Sequence, residues 1–213
     1  MAGQPYPQPM RARRAELGPS VEQAVALYAA GYFPMDDPDE EHNPLPFYAA
    51  EQRAVLELDE ASRAALRRRV RRSLRARAGR EWRLTRDERF DVVLHACARP
   101  REEGDGVWIT PRLADLYRRL YEAGLAHSFE LHAGDELAAG ILGIVLGRAA
   151  MLESMFHRVD HAGNVLLART LDELAARGFT LCDIQLPTEH TTWLGARLVQ
   201  RSEYEARLRA ALS

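Results

Sequence analysis

The stretch from Leu125 to Phe156 constrains this chain more than any other. It is apolar along most of its length and is interrupted at two places, Ala133-Gly134-Asp135-Glu136 and Gly147. Short apolar runs bounded by turn residues read as strands. Leu125 to His132, Leu137 to Gly147 and Arg148 to Phe156 are therefore predicted as three successive strands, the first two joined by a hairpin turn. Helices are predicted on either side. Thr110 caps one, with Pro111 in its first turn and Gly124 as its stop. A long amphipathic helix follows from about Asp160 to Arg177, closed by Gly178. Phe179 to Gln185 reads as a buried strand, and Ser202 with Glu205 caps a last helix.

The order helix, strand, strand, strand, helix, strand, helix describes a mixed sheet with helices packed on it. The predicted class is α+β, an acetyltransferase-like (GNAT-like) mixed sheet flanked by helices, in which a ligand crevice opens where central strands splay. Residues 1–18, rich in Pro and Arg, read as a disordered lead-in. Residues 19–60 read as a small N-terminal subdomain and 61–213 as the main domain. In the subdomain, Ser20 and Gln23 form a capping box for a first helix that ends at Gly31. An apolar turn through Pro34 and Met35 follows, then an acidic Pro-rich loop from Asp36 to Pro46, and a short strand over Ala54 to Leu58. Thr85 with Glu88 is predicted to cap a helix running to about Ala98.

Net charge is -2 over 213 residues, which excludes a bulk polycation. The chain has no lysine, so all 29 basic residues are arginine. Residues 62–80 hold nine of them and no acid. Leu66, Val70 and Leu74 make one narrow apolar stripe there. Arg63, Arg67 and Arg71 stack along one line, with Arg68, Arg72 and Arg75 beside them. Like charges at i,i+4 repel by a few tenths of a kcal/mol each, so an anion should offset them. Phosphate suits the planar guanidinium fork. A solvated charged face is the alternative.

Cys97 and Cys182 stand far apart in apolar stretches, as expected of buried thiols in a reducing compartment. No apolar run approaches the ~20 residues of a membrane helix, and the N-terminus lacks the apolar centre of a secretory signal. A cytoplasmic protein is expected.

No generic nucleotide, nucleophile or metal motif is present. His157 and His161 are four apart, but no carboxylate pattern accompanies them. Two polar groups interrupt apolar strands. Glu153 lies within Ala150 to Phe156, pointing either to water or into a site. Asp183 and Gln185, two apart on a predicted strand, would share a face. An acid beside an amide can polarise a nucleophile and hold a carbonyl; loop anchoring is the plainer reading of the pair.

Several segments together resemble the leucyl/phenylalanyl-tRNA–protein transferase family. They are Gly31-Tyr32-Phe33-Pro34, Ala54-Val55-Leu56 after Arg53, Gly106 to Thr110, Gly124 to Glu130, Glu153-Ser154-Met155-Phe156, Asp183-Ile184-Gln185, Glu189-His190 and Leu194-Gly195-Ala196. Each string is weakly specific, but their joint order is strongly so, and the similarity spans about Val21 to Leu208. The resemblance implies transfer of leucine or phenylalanine from the 3' end of aminoacyl-tRNA to the N-terminal amine of proteins beginning with Arg or Lys. That transfer marks the acceptor for degradation by the N-degron route. It implies no coenzyme A or other cofactor, no metal and a monomer. Glu153 falls at the position for amine recognition, and Asp183 with Gln185 at the position for peptide formation. Trp108, Met35, Ile141, Ala150, Leu152, Ser154, Met155, Phe156 and Cys182 fall at substrate positions, and the arginines of residues 62–80 where the family meets tRNA.

Departures cluster at the pocket. Met35 replaces an aromatic, Phe47-Tyr48-Ala49-Ala50 replaces Trp-Trp-x-Pro, Ala150 replaces an aromatic, Leu152 a glycine and His157 a serine. A methylene or two in such a pocket shifts preference by ~1–3 kcal/mol, so the amino acid chosen is the property these changes touch. Two alternatives stand beside this reading: an acyl-CoA-dependent N-acyltransferase of the same fold, and a non-catalytic tRNA-binding paralogue.

Overall fold

The computed structural model describes residues 18–36, 44–71, 81–99 and 107–213. The lead-in (but for its last residue), most of the acidic loop, and Arg72 and Arg75 lie outside the described residues. The elements are α1 (Val21–Ala29), β1 (Phe33–Pro34), β2 (Phe47–Tyr48), β3 (Gln52–Val55), α2 (Glu60–Arg69) and β4 (Trp82–Arg86). They continue with α3 (Phe90–Cys97), α4 (Pro111–Glu122), β5 (Ala126–Ala133), β6 (Glu136–Leu146), β7 (Ala149–His157) and α5 (Ala162–Ala176). The last are β8 (Leu181–Asp183), α6 (Glu189–Leu194), β9 (Arg197–Gln200) and α7 (Arg201–Leu212).

The structure is a seven-stranded mixed sheet flanked by helices, in the order β4-β5-β6-β7-β8-β3-β9. The predicted meander is β5-β6-β7, all antiparallel. Helix α5 crosses over and returns the chain to β8, which pairs with β7 in parallel. The crossover is needed because parallel neighbours cannot be joined by a tight turn. One face of the sheet is covered by α1, α3, α4 and α7, and the other by α2, α5 and α6. Both faces are thus buried, which is why the strands read as continuous apolar runs rather than alternating ones.

The N-terminal segment contributes to this sheet directly. Strand β3, on the N-terminal side of the expected boundary near residue 60, lies between β8 and β9. Helix α1 packs into the same core as α4 and α7, while β1 and β2 form a separate two-stranded ladder.

The capping predictions hold at α1, where Ser20 and Gln23 satisfy each other's backbone, and at α4, where Thr110 accepts from the Leu113 N–H. They fail at α3 and α7, whose N-caps are Arg89 and Gln200 without side-chain hydrogen bonds. Thr85 instead donates to Glu130 at 2.6 Å. Glu130 also takes bonds from Ser128 Oγ and the Arg89 N–H. This buried carboxylate therefore ties the chain between β4 and α3 to β5.

Gly147 turns the chain from β6 to β7 at φ +54, and a Cβ there would stand 2.6 Å from the Ala211 carbonyl oxygen. Gly147→Ala therefore meets both left-handed strain and the end of α7. It is expected to lower stability by about 1–3 kcal/mol in urea denaturation; an unchanged midpoint would show that the turn relaxes without cost.

Candidate active site at the fork between β7 and β8

The parallel ladder between β7 and β8 is short. It pairs Ala149 with Leu181, Ala150 with Cys182 and Met151 with Asp183, and then the strands part. β7 continues to His157 against β6 alone. The other branch stays with β3: Ile184 N–H donates to Ala54 O, and Ala54 N–H donates to Gln185 O, both at 2.9 Å. The sheet therefore forks immediately beyond Met151 and Asp183.

Glu153 sits on the β7 branch as the extra residue of a β-bulge, for Leu142 pairs with Ser154 and Gly143 with Leu152. A bulge re-aims the side chain it carries. Here it turns Glu153 toward the face of α1 and α4, where it is 8% exposed. The Tyr117 hydroxyl donates to Glu153 Oε2 at 3.3 Å and the Tyr28 hydroxyl stands nearby, while Oε1 has no hydrogen-bond partner among the described residues. Burial, and next the negative charge of Asp183, push the Glu153 carboxyl up to about 8; the tyrosine hydroxyls and the Arg53 cation oppose that shift. Burial raises the two phenols as well, further reinforced by the Glu153 charge.

Asp183 closes the base of the fork and is 0% exposed. Arg53 of β3 grips it with Nε at 3.3 Å from Oδ1 and Nη2 on Oδ2. Tyr204 of α7 donates to Oδ2 at 2.8 Å, and the Gln185 backbone N–H donates to Oδ1 at 2.8 Å. Arg53 also donates to Gly31 O at 3.1 Å and lies between the rings of Phe33 and Tyr204, 4.6 and 4.5 Å from their centroids. Both Asp183 oxygens are thus occupied by the protein's own donors, and the residue has no exposed surface.

Gln185 departs from the expected geometry. β8 ends at Asp183, and Gln185 adopts φ +58, so strand alternation does not place the two side chains. With the amide turned so that its NH2 rather than its oxygen faces them, the side chain donates to the carbonyls of Ile184 at 3.0 Å and Leu152 at 3.1 Å. The amide thus spans the fork next to the bulge.

A family model described as Leucyl/phenylalanyl-tRNA protein transferase matches residues 55–209. The chain belongs to this family. A leucyl/phenylalanyl-tRNA–protein transferase of Pseudomonas fluorescens is 37% identical over 186 residues, covering 87% of this chain and 78% of the relative. One from Deinococcus radiodurans is 37% identical, covering 92% of this chain and 90% of the relative. One from Synechococcus is 41% identical, covering 87% and 91%.

The residues that the transferase resemblance marked for substrate fall on both faces of the sheet. Phe156 and Trp108 pack on the Glu153 face, and Phe156 stands over Gly140. Ile141, Ala150, Leu152, Met155 and Cys182 pack on the opposite face with α5. Ser154 is buried on the branch between them. Met35 precedes Asp36, whose carboxylate is held by Thr110 and Arg112, so the Met35 turn is tied to the segment that carries Trp108. Arg53, Tyr204, Tyr28 and Tyr117 are members of the cluster that sequence reasoning missed. The signal for Arg53 was available: a buried Asp183 requires a cation, and Arg53 adjoins an apolar strand.

Among the arginines, Arg63 and Arg67 are both engaged by Asp172 of α5 and by Glu60. The anions that offset these two in the fold are the protein's own, where phosphate was the expected candidate. Arg68 and Arg71 are exposed.

The fold favours protonated Glu153, since its folded value lies near 8 against an ordinary 4.5. This contribution is complete below about pH 4.5 and is lost progressively up to about pH 8. Glu153→Gln should therefore gain stability relative to the parent chain as pH rises through that window, on the order of a few kcal/mol by pH 8. Denaturation across pH would show two diverging curves; parallel curves would contradict a buried, proton-holding Glu153.

Proposed function

We propose that this chain transfers leucine or phenylalanine from aminoacyl-tRNA to the N-terminal amine of proteins beginning with Arg or Lys, directing them to N-degron degradation. Family membership supports the reaction class. The observation that carries the site assignment is the buried Glu153 carboxyl with an unpartnered oxygen at the mouth of the fork. A buried acid with unsatisfied acceptor capacity is suited to an ammonium group. Cation binding there favours the carboxylate and draws off its proton.

The bound ammonium first gives one proton to the Glu153 carboxylate; the neutral amine nitrogen then attacks the ester carbonyl, the C–N bond forms, and the ester C–O bond to the terminal ribose breaks. The ribose hydroxyl leaves with the proton that the amine gives up. The ester is already activated, so positioning can supply much of the acceleration, ~7–11 kcal/mol in favourable cases. Gln185, whose NH2 is spent on the Ile184 and Leu152 carbonyls, offers its side-chain oxygen as an acceptor to the attacking amine, and Asp183 with Arg53 and Tyr204 holds Gln185. The apolar side chain of the transferred amino acid is assigned to the opposite face of β7, among Ile141, Ala150, Leu152, Met155 and Cys182. Trp108 and Met35 border the donor's terminal nucleotide. Arg68 and Arg71, with Arg72 and Arg75 beyond the described residues, meet tRNA phosphates.

The acetyltransferase-like assignment of the fold rests on the fork in the parallel pair. An acyl-CoA donor would need a glycine-rich loop at a helix start. Gly140 and Gly143 lie within β6 and Gly147 in the turn after it, which does not favour that reading. The protein is assigned to the cytoplasm as a monomer.

Labelled leucyl- and phenylalanyl-tRNA, each offered with peptides beginning with Arg, Lys, Asp or Glu, test the reading. Label is expected on the Arg and Lys peptides, and a loss of about 100-fold or more in Glu153→Gln. Bound tRNA with no label on any peptide would overturn it in favour of a non-catalytic tRNA-binding protein.

A further inference from the structure

Trp193 is 52% exposed, one of two large apolar side chains left open among the described residues. It is held rather than loose. The His190 ring stacks on it, with centroids 6.0 Å apart and planes 25° apart. His190 Nε2 in turn meets Asn164 Oδ1 at 3.0 Å, in the first turn of α5. The backbone of α6 is fixed at its start by Thr188 and Thr191, which cap each other. At its end, Arg69 donates to Leu194 O at 3.3 Å, and its guanidinium stands 2.5 Å from where a Cβ on Gly195 would lie.

The position of this aromatic pair is informative. Helix α6 begins four residues after Gln185, and the next residue of α5, Gly163, is in contact range of Met155 on the β7 branch. The pair therefore borders the fork. Where α6 ends, a recess of about 250 Å³ is lined by Leu66 and Arg69 of α2 and by Leu194, Arg197 and Glu57, the last paired with Arg197 and Arg207. Arg69 lines this recess, Arg68 is exposed beside it on α2, and no carboxylate of the described residues pairs with either. Glu189 is the only acid on α6.

An open indole and imidazole beside unpaired guanidinium groups is how proteins hold single-stranded nucleic acid, with aromatic faces for the bases and a cationic track for the backbone. We propose that Trp193 and His190 form a stacking platform for an unpaired base upstream of the terminal nucleotide of the aminoacyl-tRNA 3' strand, with Arg68 and Arg69 on the adjoining phosphates. This rests on the transferase reading. Charge decides against the acceptor protein as occupant, because its cationic N-terminus would meet Arg69 and the exposed Arg68 beside it.

The test compares KM and kcat for the parent chain, Trp193→Ala and Trp193→Phe, using full-length charged tRNA and a minimal aminoacyl-adenosine donor. Trp193→Ala should raise KM for the tRNA by about 5-fold or more. The rise should be much smaller for the minimal donor, and Trp193→Phe should recover most of it. Arg68→Ala should flatten the salt dependence of tRNA binding by about 0.7 in log–log slope. Equal KM for tRNA in Trp193→Ala and the parent would overturn the proposal, as would a rise confined to the acceptor peptide. If the parent chain transfers from neither donor, the transferase reading fails. Direct binding of uncharged tRNA to the same variants then decides the platform, with loss of affinity in Trp193→Ala supporting it and equal affinity overturning it.

Discussion

The Arg53–Asp183 pair joins more of this molecule than any other contact. Arg53 stands on an interior strand and reaches Asp183 on the next strand, Tyr204 on the last helix and the Gly31 carbonyl after the first helix. The pair sits where the parallel ladder of β7 and β8 ends and the sheet forks. A buried ion pair is weak evidence for net stability, because both charges have left water. Removing one partner is another matter, since it strands a charge in the core. Asp183 is thus constrained to remain where it is, and through its bond to the Gln185 N–H it sets the turn on one branch of the fork.

The other branch is set by backbone geometry. An extra residue at the bulge of β7 turns Glu153 to the face where Tyr28 and Tyr117 wait, and the same shift leaves Leu152 facing α5. One strand thereby offers an acid to one side of the sheet and an apolar surface to the other. The two carboxylates differ because their surroundings differ. Asp183 is neutralised by Arg53, whereas Glu153 has phenols for company and holds its proton to about 8.

The β5-β6-β7 meander, the crossover helix and the caps at Ser20 and Thr110 were legible because each depends on local pattern. The seven-strand order was not, because β3 and β9 are short and owe their places to partners far along the chain. Asp183, Gln185 and Glu153 were visible as polar interruptions of apolar runs. Their geometry was not: a bulge opposite Gly143 and a positive φ at Gln185 both break strand alternation, and Gln185 has no glycine to announce it. The arginine-rich helix shows the same limit. Its charge excess is plain in sequence, but Asp172, which takes up Arg63 and Arg67, lies on a helix distant in sequence.

Equilibrium unfolding of Arg53→Met, Asp183→Leu and the double variant tests the central claim most directly, that this buried pair holds the fork together. Each single change should cost about 3–5 kcal/mol, and the double variant should be more stable than either single one, because no charge is left stranded. Costs below about 1 kcal/mol for both single changes, or simple additivity in the double variant, would contradict the account.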